Sequence, residues 1–170
     1  MNINPHKIVL NDIKTLLQKI DADAFVKKNE ILSGASIGEH FRHIIEFYLC
    51  CLQQHKNTTI NYDLRERNKE LETNKKKGIE AVDFVFDFLN KLENKDDTNL
   101  IMRSVHENEE EDENAIKTTF FRELNYCMDH GIHHQSLIKI ALIDQGIAHL
   151  IHDNFGVAFS TQNYRNQCVS

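Results

Sequence analysis

The sequence predicts an all-α protein built as a four-helix bundle, with a small β-hairpin inserted before the last long helix. Three observations carry this expectation. One proline and six glycines in 170 residues leave few breaks, which favours long helices over a turn-rich β fold. Four stretches repeat their apolar residues every three to four positions, as one face of a helix does. The connections between them are short enough to join antiparallel neighbours.

The first stretch, residues 6–20, places Ile8, Val9, Leu10, Ile13, Leu16, Leu17 and Ile20 on a common stripe. A loop follows through Asn29-Glu30-Ile31-Leu32-Ser33-Gly34. Ser36-Ile37-Gly38-Glu39 then reads as a capping box, in which the serine accepts from a free amide and the glutamate reaches back. The second helix runs from there to about residue 55, with Phe41, Ile44, Ile45, Tyr48, Cys51 and Leu52 facing inward. Residues 57–68 lack a helical period and form a connection. Its segment Asn61-Tyr62-Asp63-Leu64-Arg65-Glu66-Arg67 is denser in specific polar groups than a passive loop requires.

A third helix is expected over residues 69–92, carried by Leu71, Ile79, Val82, Phe86 and Leu89, with a highly charged, exposed first half. Residues 99–105 and 115–119 read as hairpin strands flanking an acidic run, 107–113. That run lacks the glycine and spaced oxygen ligands of a calcium loop, so solvated loop is the expectation. The last helix, residues 120–145, stops at Gly146. The tail, residues 147–170, is mixed. The length fits a single domain spanning residues 1–170.

Composition narrows the function classes. Hydrophobic residues at 41% and charged residues at 27% describe a globular chain. A net charge of −6 argues against nucleic acid as a partner, since phosphate neutralisation needs clustered Lys and Arg. The basic runs Lys27-Lys28 and Lys75-Lys76-Lys77 are short and have acidic neighbours. Cys50, Cys51, Cys127 and Cys168 have neither zinc-ribbon nor disulfide-framework spacing. The opening MNINPHKIVL is not a secretion signal, and no apolar run approaches the ~20 residues that span a membrane. The expectation is a reduced, cytoplasmic protein with no membrane partner.

The chemistry concentrates in histidines. His130-Gly131-Ile132-His133-His134 lies inside the last helix. His130 and His134, four apart, stack one turn from each other, which is the simplest way for a helix to offer two ligands to one ion. A rotation of about 100° per residue puts His134 within the apolar stripe, His130 at its border, and His133 on the polar side with Arg122, Asp129 and Ser136, as a surface residue or a support behind the ligands. Burying two imidazoles among apolar neighbours is costly without partners, and a shared ion removes the cost. The second helix offers His40 and His43. By the same angles His40 lies nearer the centre of its stripe, while His43 shares a flank with Phe47 and Cys50.

The stretch Ser36-Ile37-Gly38-Glu39-His40-Phe41-Arg42-His43-Ile44 resembles the second-helix motif of the DinB-like superfamily. So does residues 124–135, around Asp129-His130-Gly131-Ile132-His133-His134-Gln135, for the helix with paired histidines. Asn61-Tyr62-Asp63 and the tail Phe155-Gly156-Val157-Ala158 with Ser160-Thr161 also resemble one branch of that group. The resemblance implies a four-helix bundle holding a divalent metal through His43, His130 and His134, with His40 moved to a supporting or pocket position. Some members are thiol S-transferases or isomerases that use a low-molecular-weight thiol, whose sulfur the metal would hold as thiolate. Nothing here points to a DNA polymerase.

Three functions follow as expectations. The first is a metal-dependent enzyme, a transferase or hydrolase acting on a small-molecule substrate. Glu39, Glu46 and Glu123 are its candidate acids or bases, Tyr62, Asp63 and Arg65 line its mouth, and the Asn61 to Arg67 connection offers an arginine for a substrate carboxylate. The second is a non-catalytic metal-binding or stress-response module, in one form a homodimer. The third is a purely structural bundle. Three imidazoles suit zinc and nickel about equally.

Overall fold

The computed structural model describes residues 1–93, 96–104 and 115–168. Helices dominate, and a small three-stranded sheet lies among them. Four helices are long: α1 (Asn4–Lys19), α3 (Ile37–Gln54), α5 (Lys75–Asn90) and α6 (Phe120–Asp144). The short ones are α2 (Ala22–Val26), α4 (Glu70–Thr73) and α7 (Phe159–Cys168). α3 lies against α6 along much of its length, and α1 bridges α5 and α6.

Local chemistry accounts for the boundaries. Ser36 Oγ accepts from the Glu39 amide at 3.1 Å while Glu39 Oε2 accepts from the Ser36 amide at 2.6 Å, so the capping box at the start of α3 is complete. Gly146 takes a left-handed φ of 73° after α6, and the next amide, of Ile147, bonds back to Leu142 O at 2.9 Å. The expected third helix divides into α4 and α5. Asn74 adopts an extended backbone and its side chain accepts from the Lys76 and Lys77 amides, capping a new helix instead of continuing the old one. The charged first half is not simply exposed either, since Leu71 of α4 is buried.

Strand β2 (Asn99–Met102) pairs antiparallel with β3 (Ile116–Thr119), as a hairpin does. The acidic run 107–113 lies outside the described residues. No sequence pattern marks β1 (Thr59–Ile60), which pairs parallel to β2 with Thr59 opposite Ile101. Two residues are too few to show a period. β1 ties the polar connection after α3 to the hairpin, with Ile60 fully buried.

The core gathers Leu10, Ile13 and Leu17 of α1, Phe41, Ile44, Ile45 and Tyr48 of α3, Val82, Val85 and Leu89 of α5, and Leu124, Cys127, Ile138 and Leu142 of α6. Two glycines set close approaches. A Cβ on Gly38 of α3 would fall 2.0 Å from Glu72 O, so α4 rests directly on α3. A Cβ on Gly156 (φ 69°) would fall 2.6 Å from Ser136 N, which seats the tail on α6. Cys50, Cys51 and Cys127 are buried thiols and Cys168 is exposed. Among the described residues no helix is long and apolar enough to cross a membrane.

Candidate metal centre

The α3–α6 contact brings the histidines of both helices together. His43, His130 and His134 each offer a ligand atom within 4.8 Å of the others. All three rings are half-buried. His43 Nε2 lies 2.9 Å from His130 Nε2, and the His43 and His134 ring centres are 4.4 Å apart. His133 is exposed, as its angle on the helix predicts. His40 joins the cluster from the side, with its Nδ1 2.8 Å from His134 Nδ1. The angular preference for His40 over His43 is therefore only half met. Both are half-buried, and His43 is the one that closes the triad.

Hydrogen bonding assigns the nitrogens. Arg65 Nη2 lies 3.2 Å from His43 Nδ1. A guanidinium only donates, so Nδ1 accepts and the proton of the neutral ring sits on Nε2, from which it donates to His130 Nε2. An ion on His43 Nε2 would need the other tautomer, with the proton on Nδ1, and Arg65 would then have to give up that nitrogen. His134 Nδ1 is engaged by His40, which leaves Nε2 free for the centre. His40 Nε2 is buried without a hydrogen-bond partner among the described residues.

Electrostatics keep the rings neutral. Burial first, then His130 and the Arg65 guanidinium, bring the His43 imidazole down to about 4. Burial, followed by His43, His130 and His40, brings His134 down to about 3. His130 and His40 are lowered as well, chiefly by burial. Neutral imidazoles present lone pairs, which a divalent ion requires. Two nitrogens sharing an ion at about 2.1 Å sit roughly 3.0–3.4 Å apart, and the His43–His130 spacing of 2.9 Å falls close to that. The three histidines can hold a metal ion.

Arg65 is itself held in place. It donates to Tyr62 O at 3.0 Å, its guanidinium lies 5.1 Å from the centre of the Phe47 ring, and its Nε is 3.5 Å from Glu46 Oε2. Glu46 is 3% exposed and accepts from the Asn68 amide at 2.8 Å, with Arg42 Nε at 3.5 Å. Burial raises the Glu46 carboxyl, while the Asn68 amide and the two guanidiniums pull it back. The polar segment after α3 thus serves to bring one cation against His43.

The candidate acids are committed elsewhere. Glu39 is occupied by the Ser36 amide and by Lys28 Nζ at 2.6 Å. Glu123 is fully buried and accepts from Tyr62 at 3.0 Å, Thr118 at 2.6 Å and Arg122 at 2.8 Å. Asp63 is exposed and lines a cavity with Tyr62. Sequence reasoning placed Tyr62 at the mouth but missed Phe47 and Tyr126, which complete an aromatic wall with it. Phe47 stacks on His130 with centres 4.4 Å apart and on Tyr62 at 4.8 Å, and Tyr126 lies 5.6 Å from His130. The shared flank of His43 and Phe47 was the available signal.

No family model matches the chain, and no solved structure matches it. Over 107 residues the chain is 31% identical to FK506-binding protein 5 of Rhizopus delemar. The aligned part is 61% of this chain and 27% of that protein, so the chain spans little more than a quarter of the relative.

Proposed function

We propose that the chain is a DinB-like four-helix-bundle protein that binds zinc or nickel through His43, His130 and His134 and catalyses thiol S-transfer or hydrolysis on a small molecule. The observation that carries this reading is the convergence of three neutral imidazoles from α3 and α6 within 4.8 Å. When bound, a divalent ion with vacant positions supplies a thiolate from a low-molecular-weight thiol, or a hydroxide from water, at neutral pH. The chain's own residues orient the ligand rings. Arg65 holds the ion-free His43 ring through Nδ1. His40 fixes His134 through Nδ1 and keeps Nε2 to carry a proton. Phe47 and Tyr126 pack against the His130 ring and fix its plane.

Tag-free protein, stripped and reloaded with zinc or nickel, is screened with several low-molecular-weight thiols and a chromogenic electrophile. Turnover that rises with ion occupancy and disappears in His134→Ala is the expected result. Full occupancy without turnover in either thiol transfer or hydrolysis overturns the catalytic part. A second reading, a non-catalytic metal-binding or stress-response module working as a homodimer, draws support from one observation. Glu39, Glu46 and Glu123 are all engaged in structural bonds, which leaves none of them as a base beside the triad.

A further inference from the structure

A neutral imidazole that ligates an ion through one nitrogen carries its proton on the other, and that N–H ordinarily donates to a carboxylate, a carbonyl or water. In the candidate centre the second nitrogens of His134 and His43 face opposite kinds of neighbour. On α6, His134 Nδ1 meets His40 Nδ1 at 2.8 Å. An imidazole nitrogen can accept, so this contact allows the tautomer in which His134 Nε2 keeps its lone pair. On α3, His43 Nδ1 meets Arg65 Nη2 at 3.2 Å. A guanidinium can only donate, so this contact selects the tautomer in which His43 Nε2 is protonated and has no lone pair to offer.

Arg65 holds that position firmly. Its side chain is 11% exposed. Tyr62 O at 3.0 Å, Glu46 Oε2 at 3.5 Å and the face of the Phe47 ring fix it in place. The His43 tautomer that it selects also donates from Nε2 to His130 Nε2 at 2.9 Å. Two of the three ligand nitrogens are therefore tied to each other through one proton while Arg65 is engaged. A fixed guanidinium beside a ligand ring adds Coulombic opposition to any cation there.

We propose that Arg65 sets the affinity of the centre by competing with the divalent ion for the His43 ring, while His40 does the reverse for His134. Arg65 is thus a positioning residue that opposes loading, and His40 is one that favours it. The inference rests on the metal-centre reading, and the two fail in different ways.

Zinc affinity is measured by competition with a chromogenic chelator on tag-free wild type, Arg65→Met, His40→Ala and the double variant Glu46→Gln with Arg65→Met. Arg65→Met should bind zinc about ten- to a hundredfold more tightly, the range over which outer partners of ligating histidines act. His40→Ala should bind it more weakly by a similar factor. The double variant removes one charge of each sign and leaves no orphaned carboxylate, so it should keep the gain, and it stands in for Arg65→Met if that protein does not fold. In protein labelled with 15N at histidine, long-range 1H–15N spectra near neutral pH should place the His43 proton on Nε2 without zinc and on Nδ1 with zinc bound. Zinc binding that is equal or weaker in Arg65→Met and the double variant, a tightening in His40→Ala, or a His43 proton already on Nδ1 in the zinc-free wild type overturns the proposal and leaves the centre intact. Zinc taken up by neither the folded wild type nor folded Arg65→Met removes the centre, and the competition with it.

Discussion

Glu46→Gln isolates the device that holds Arg65 against the candidate centre. Glu46 is 3% exposed and faces Arg65, whose side chain is 11% exposed, at 3.5 Å. Glutamine keeps the shape and an oxygen for the Asn68 amide, so the change removes charge rather than volume. Arg42 has a second carboxylate in Glu72 and is not orphaned. Among the described residues Arg65 keeps Tyr62 O, His43 Nδ1 and the Phe47 ring. Breaking a buried pair by removing one partner costs about 3–5 kcal/mol, and these remaining contacts place the expectation near the lower end, at about 3 kcal/mol. For a chain of this size that lowers Tm by roughly 6–12 °C.

The assay is denaturant unfolding of Glu46→Gln, Arg65→Met and the double variant. The midpoint should fall in the first at an unchanged slope. Removing Arg65 from the Glu46→Gln variant should then cost less than removing it from the wild type, giving a coupling of about 1–3 kcal/mol. A loss below about 1 kcal/mol for Glu46→Gln, or a cycle with no coupling, would refute the claim that this pair anchors the segment.

Other outcomes follow from the same contacts. Gly38→Ala forces a Cβ to 2.0 Å from a backbone oxygen, so it should lower thermal stability by about 3 kcal/mol or more. Gly131→Ala, whose Cβ would meet nothing nearer than 3.4 Å, should instead be neutral or stabilising by up to about 1 kcal/mol, and a clear loss in calorimetry would contradict the α3–α6 packing. Tyr62→Phe leaves the buried Glu123 carboxylate short of a donor and should cost about 1.5–3 kcal/mol in denaturant.

In metal-stripped protein the His43 and His134 rings titrate at about 4 and about 3. Both values lie below that of the unfolded chain, near 6.5, so the unfolded state binds more protons as pH falls between them. Their contribution is fully present above about pH 6.5 and is lost as pH drops through the folded values, about 1–2 kcal/mol per ring after solvent screening. Unfolding midpoints at pH 7.5 and 5 should converge for the wild type and His134→Ala at the lower pH. Parallel pH slopes would count against buried neutral imidazoles.

The four long helices were readable because each carries a sustained apolar period, and α3 and α6 also have clear punctuation in Ser36 with Glu39 and in Gly146. The break at Asn74 is hidden because the residues on either side continue the helical pattern, and only its side-chain caps on Lys76 and Lys77 show it. β1 was invisible because its pairing with β2 is non-local and only two residues long. In the site, the spacing of His130 and His134 carried the information, since four residues on a helix fix their relation. The choice between His40 and His43 was not available from angles. It depends on how α3 is rotated against α6, which is set by packing such as Gly131 beside Ile44. Glu39 was already legible as a cap from the Ser36–Glu39 spacing, whereas Glu46 and Glu123 looked alike as acids in sequence, and only their partners distinguish an anchor from a sealed carboxylate.

The most direct measurement is the metal content of tag-free protein by native mass spectrometry, with single alanine variants at each histidine of the cluster. The wild type should carry an equimolar divalent ion, lost in His43→Ala, His130→Ala and His134→Ala and retained in His133→Ala. Equal occupancy in the wild type and His134→Ala, or no ion in a folded wild type supplied with zinc and nickel, would contradict a centre shared by α3 and α6.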